Sequence, residues 1–216
     1  MCGRPNTSEP ALNLLSSLHH QPLLVVLRAE QPLELEPQLA HLAQLGVRHV
    51  ELAWSPHPQW AEQVASLVGR FPTLHLGAAS LCTAAALEAA VRSGLAYGVS
   101  PILDGALVEQ ARRHGLALVP GVMTPSEVHQ ARALGCPLVK LFPAVQLGTP
   151  YWRRLREPLG PLPGCIAAGG LGVADVEPWL AAGVDAVALG GSLASAADWE
   201  ALAALVARLA RHQRLH

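Results

Sequence analysis

Short apolar runs alternate with stretches of helical spacing from one end of the chain to the other, and this rhythm constrains the fold more than any other feature. The runs cover residues 23–27, 47–52, 74–77, 96–99, 116–119, 138–142, 165–168 and 186–189. None shows strict polar alternation, so each reads as a strand buried on both faces, as strands of a parallel sheet are. Helical patterns lie between and after them, over 33–45, 59–68, 83–93, 105–114, 125–134, 151–155, 173–182 and 199–211. Helix starts are marked by Thr83, by Asp104, by Thr124 with Glu127 three residues on, and by Asp198. Glycines close the helices before the next strand: Gly46, Gly69, Gly94, Gly115, Gly135 and Gly183. Eight strands alternating with about eight helices predict an α/β chain folded as a (β/α)8 TIM barrel. An open doubly wound sheet is the competing fold, but no GxGxxG follows the first strand. No linker or charge block divides the chain, which predicts a single domain: an N-terminal segment over 1–20 and a barrel over 21–212. Residues 11–20 are expected to form an extra helix that plugs the N-terminal end of the barrel.

Composition narrows the setting. Apolar residues make up 51% and charged residues 14%, the reverse of what keeps a chain disordered. With a formal net charge of −1, no field favours nucleic acid or a membrane surface, and neither is expected as a partner. The longest aliphatic run, five residues at 23–27, is far short of the roughly 20 that span a bilayer, and residues 1–20 hold no signal-peptide core. Cys2, Cys82, Cys136 and Cys165 stand far apart without a CxxC pair, which fits a reducing cytoplasm and predicts no metal site. The histidines form no HxH or HExxH pattern, and His75, inside a strand run, reads as a core residue.

The basic residues carry the sharpest signal. Fourteen of the 15 are arginine and one is lysine. That lone lysine, Lys140, lies in the apolar segment Pro137-Leu-Val-Lys-Leu-Phe-Pro143. Burial disfavours an ammonium, and arginine cannot shed its proton, so only a lysine there can become a neutral amine nucleophile. In a (β/α)8 barrel, chemistry gathers at the C-terminal ends of the strands. Those positions hold Arg28, Glu51, Ser80, Ser100, Pro120 with Gly121, Lys140, Gly169 with Gly170, and Gly190-Gly191-Ser192. A carboxylate placed like Glu51 is paired or functional, and an ion pair to Arg28 or Lys140 is its purely structural alternative. The two Gly-Gly pairs follow the last two strand runs, where barrels of this type bind phosphate through exposed backbone N–H groups.

These residues, taken in order, resemble the KDPG (2-keto-3-deoxy-6-phosphogluconate) and 4-hydroxy-2-oxoglutarate aldolases, a family of class I aldolases. The likeness runs over about 20–200 and rests on Val50-Glu-Leu, Leu76-Gly-Ala-Ala-Ser80, Ser100-Pro101, Leu118-Val-Pro-Gly-Val122, Val139-Lys-Leu-Phe-Pro-Ala144, Ala168-Gly-Gly170 and Gly190-Gly-Ser192. The resemblance implies a barrel, commonly a homotrimer, with no metal or other cofactor beyond a covalent Schiff base on Lys140. It implies Glu51 as acid/base and Gly169, Gly170, Gly191 and Ser192 on phosphate; Arg28, Ser80, Pro120 and Phe142 are expected around the keto acid, the last two as the apolar wall beside the amine. The implied partner is a small 2-keto acid or sugar acid phosphate, cleaved to pyruvate and either glyceraldehyde 3-phosphate or glyoxylate. Two positions depart from the family pattern. Ser55 stands where an arginine usually grips the substrate carboxylate, a contact of about 1.5–3 kcal/mol, and Ala168 stands where a threonine is usual. These departures motivate the alternative of a degenerate barrel that binds sugar phosphates without turnover. A barrel enzyme without Schiff-base chemistry, such as an epimerase, is opposed by the lone lysine.

Overall fold

A computed structural model of the chain describes residues 9–191 and 193–213. Nine parallel strands form a single sheet: β1 (Leu23–Leu27), β2 (His49–Ala53), β3 (His75–Ala79), β4 (Tyr97–Val99), β5 (Ala117–Val119), β6 (Gly121–Val122), β7 (Leu138–Leu141), β8 (Gly164–Ala168) and β9 (Ala186–Gly190). Their order is β5-β4-β3-β2-β1-β9-β8-β7-β6. The extra strand over the eight expected comes from Pro120. β5 and β6 are the two halves of one strand, and proline, which has no N–H to give, interrupts the ladder between them. Before the break, β5 pairs with β4; after it, β6 pairs with β7. The two ends of the sheet are therefore one continuous stretch of chain, and the (β/α)8 barrel closes there. Gly121 permits the closure, because a Cβ would stand 2.2 Å from the carbonyl carbon of Pro101, and its N–H donates to the Ile102 carbonyl at 3.1 Å.

Helices cover the outside in the expected alternation. Among them are α1 (Glu9–His20), α2 (Glu36–Leu45), α3 (Trp60–Arg70), α4 (Ala84–Arg92), α5 (Gly105–Arg113), α6 (Pro125–Ala133), α7 (Tyr151–Arg154), α8 (Arg156–Leu159), α9 (Val176–Ala181) and α10 (Ala196–Gln213). Thr83 and Asp104 cap α4 and α5, and Thr124 with Glu127 forms the capping box of α6. Two boundaries differ from expectation. Asp198 sits one turn inside α10 and reaches back to the Ser195 N–H at 2.8 Å, so Ser195 stands at the helix start. Gly69 lies within α3, which runs on to Arg70, whereas Gly46, Gly94, Gly115, Gly135 and Gly183 all take the left-handed conformation that stops a helix. The helix expected over 151–155 is α7, and a second short helix, α8, follows it directly.

The apolar residues separate into two cores. One, between strands and helices, includes Val25, Leu52, Leu67, Leu87, Val139 and Leu189. The other fills the barrel itself and includes Leu24, Val99, Val119, Leu138, Ile166 and Ala186. Helix α1 belongs to this second core. It inserts Ala11, Leu14 and Leu18 into the N-terminal end, and burying Leu18 completely is worth roughly 1.5–3 kcal/mol. Polar contacts fasten it: Ser17 shares a 2.8 Å hydrogen bond with the buried His49, and the His19 ring meets Asp185 at 3.0 Å. The expected plug is present. His75 differs from its reading as a core residue: it is exposed at this same end, 5.3 Å from the His49 ring. No helix among the described residues is long and apolar enough to cross a membrane.

Candidate active site

Strand alternation sends every second residue into the barrel, which puts Glu51 on β2 and Lys140 on β7 inside, near the C-terminal ends of their strands. The ladder holds Lys140 firmly, its N–H donating to the Pro120 carbonyl at 2.8 Å and its strand pairing with Ile166 of β8 on the other side. Its side chain is 8% exposed and borders a cavity of about 410 Å³ that opens at the C-terminal mouth. The ammonium nitrogen lies 5.0 Å from the centre of the Phe142 ring, an arrangement in which the ring face attracts a cation without hydrating it.

Glu51 is fully buried, and neither carboxyl oxygen has a hydrogen-bond partner. Burial pushes its pKa up to about 7, against the opposing pull of the Lys140 charge. The structural alternative for Glu51 is thereby removed, since it forms no ion pair with either Arg28 or Lys140. Arg28 instead donates from Nη2 to the Ser80 hydroxyl at 3.1 Å. Ser80 holds a positive φ of 63°, the one non-glycine residue to do so among those described, and such a conformation is characteristically found at functional sites. A carboxyl that titrates near neutrality, close to a buried amine, suits proton transfer.

The cavity gathers most of the expected residues. Arg28, Ser80, Lys140, Phe142, Gly169, Gly170 and Gly191 line it. Gly169 and Gly170 both take positive φ, and a Cβ there would stand 2.8 Å from the Phe142 ring and 2.5 Å from Val145 respectively. These loops therefore require glycine, and they present backbone to the cavity. Neither Glu51 nor Pro120 lines it. Proline at that position is buried and acts through its carbonyl on the Lys140 backbone, leaving Phe142 as the apolar neighbour of the amine. Ser55 is also elsewhere, donating to the Glu30 carbonyl at 3.0 Å. Ser192 lies outside the described residues. The sequence reading missed Gln38 of α2 and Trp199 of α10, which reach the mouth from helices that adjoin it only in three dimensions. Among the described residues, no three His, Cys, Asp or Glu side chains converge as metal ligands.

A sequence model of the KDPG and KHG aldolases matches residues 14–205. The chain belongs to this family. It is 32% identical, over 80% of its length and 82% of the relative's, to a probable 2-dehydro-3-deoxy-6-phosphogalactonate aldolase of Rhizobium meliloti. It is 26% identical, over 80% and 84%, to the 2-dehydro-3-deoxy-6-phosphogalactonate aldolase of Escherichia coli. Among solved structures, a 4-hydroxy-2-oxoglutarate aldolase/2-deydro-3-deoxyphosphogluconate aldolase from TTHB1 superposes with a TM-score of 0.75 at 31% identity, covering 92% of this chain and 97% of that one.

Proposed function

We propose that this aldolase works through a Schiff base on Lys140 and cleaves a 2-keto-3-deoxy acid, carrying a phosphate at its far end, to pyruvate and an aldehyde. The observation that supports this best is the position of the only lysine in 216 residues, buried against the cavity and within the field of a carboxyl that has no hydrogen-bond partner. As a neutral amine, Lys140 adds to the keto carbon, and loss of water leaves an iminium. Breaking the C3–C4 bond sends its electron pair into the iminium, giving an enamine, while the C4 hydroxyl proton passes to Glu51. The enamine carbon then takes a proton back, and water releases pyruvate and the free amine. Such acid–base help is worth about 10²–10⁴ in rate.

Arg28 and Ser80, hydrogen-bonded to each other on the cavity wall, would take the keto-acid carboxylate. The backbone of Gly169, Gly170 and Gly191, with Ser192 following, would take the phosphate. The relatives named above act on six-carbon sugar acid phosphates or on 4-hydroxy-2-oxoglutarate, and the glycine pairs favour the phosphorylated class. Family resemblance further supports a homotrimer in the cytoplasm, which light scattering of the purified protein checks for subunit number. Borohydride reduction in the presence of pyruvate, followed by peptide mass mapping, tests the chemistry. A pyruvyl adduct on Lys140 is expected, and Lys140→Met is expected to remove both adduct and cleavage. Absence of any adduct from about pH 6 to about pH 9 overturns the proposal.

A further inference from the structure

One buried polar group inside the barrel has no place in the chemistry above. Tyr97, on β4, is 1% exposed, and its hydroxyl has no hydrogen-bond partner. An unmade hydrogen bond on a buried hydroxyl is costly, and an apolar ring would fill the same space without that cost. Its position is specific. Glu51, Gly77 and Tyr97 lie level on three adjacent strands, Glu51 opposite Gly77 and Gly77 opposite Tyr97. The tyrosine ring lies across the glycine, with Cε2 and Cζ only 2.4 and 2.5 Å from where a Cβ on Gly77 would stand. The ring thus extends from β4 over β3 toward β2, carrying its hydroxyl toward Glu51. Glu51 is also the charge that the hydroxyl feels.

We infer that Tyr97 is a positioning residue of the aldolase site: with the Glu51 carboxyl it holds the water through which protons pass between that carboxyl and the Schiff-base carbon. Polar groups within electrostatic reach that lack a direct bond are commonly joined by one water, and a buried water needs two to four partners. The two carboxyl oxygens and the Tyr97 hydroxyl, all buried and without a partner, offer them. The titratable groups facing Glu51 are Lys140 from β7 and Tyr97 from β4. His49 and His75 belong to the layer below, on β2 and β3. By donating toward the ionised carboxylate through that water, the hydroxyl favours the basic form of Glu51. This role rests on the Schiff-base reading, yet it can be tested without turnover.

The chain has two tyrosines, so 3-fluorotyrosine labelling gives two fluorine signals, and Tyr151→Phe assigns them. The Tyr97 signal is expected to move with pH with a midpoint near 7, and to lose that movement in Glu51→Gln. A Tyr97 signal that stays constant from about pH 5.5 to about pH 8, or moves equally in Glu51→Gln, overturns the inference. In Tyr97→Phe the acid limb of kcat/KM is expected to rise by about one pH unit, a loss of about tenfold near pH 6 that recovers by about pH 8.5, with borohydride trapping at the higher pH intact. A loss of the same size at every pH marks a merely structural tyrosine and overturns the inference. Failure of trapping sinks the Schiff-base reading while leaving the fluorine titration to stand or fall on its own.

Discussion

His49 and Glu51 sit two residues apart on the same face of β2, both completely buried, and the fold treats them in opposite ways. His49 faces the plugged N-terminal end. It shares a hydrogen bond with Ser17 of α1, and burial, reinforced by the His75 charge, pushes its pKa down to about 4. Glu51 faces the open end, is left without a hydrogen bond, and is pushed up to about 7. Burial disfavours the charged form of each, but only Glu51 feels the charge of the Lys140 amine. The difference teaches that a buried polar group at the closed end ties a helix down, whereas one at the open end is kept ready for protons.

Substitution separates the two ends most strongly through Glu51. Glu51→Gln is expected to cut cleavage by about 10²–10⁴ while pyruvate trapping on Lys140 continues at a reduced rate. Unchanged turnover in a steady-state assay removes Glu51 from the mechanism and erases the contrast.

A second contrast concerns stability against pH. Between about pH 4.5 and pH 7 the folded state keeps the Glu51 proton that the unfolded chain loses, so Glu51 makes stability fall as pH rises. Between about pH 4 and pH 6.5 the folded state excludes the His49 proton that the unfolded chain binds, so His49 makes stability rise with pH. Each contribution is of order 3 kcal/mol, and the two slopes nearly cancel where they overlap. Denaturant unfolding across that range is expected to show Glu51→Gln losing stability toward acid relative to the native chain. His49→Gln is expected to lose it toward neutral pH. Parallel curves for both variants break the comparison.

The remaining effects are smaller and divide by end. Arg28→Gln, at the mouth, is expected to raise KM for the keto acid about tenfold with an unchanged unfolding midpoint. Ser17→Ala, at the closed end, is expected to cost about 1 kcal/mol in denaturant unfolding and leave kcat as it was. A fall in kcat for Ser17→Ala would link α1 to the chemistry and blur the distinction.

Much of this was legible in the residues. Lys140 stood out because no other lysine accompanies it, Glu51 because it closes an apolar run, and the capping box at Thr124 because its spacing is local. What escaped notice depends on contacts across the fold. The run over 116–119 looks finished before Pro120, and only the pairing of β6 with β7 shows that the strand resumes. Gln38 and Trp199 belong to helical patterns whose faces cannot be told apart until the barrel closes. Tyr97 reads as an ordinary strand residue, although a hydroxyl in a strand buried on both faces was itself a clue that some partner lay inside.

Because α1 stoppers one end of the barrel, a molecule bound there has a single corridor by which to come and go. On the Schiff-base reading proposed above, the half of the substrate tethered to Lys140 stays bound until water frees it, so the fragments would depart in turn. The aldehyde would leave first, with pyruvate following along the same route.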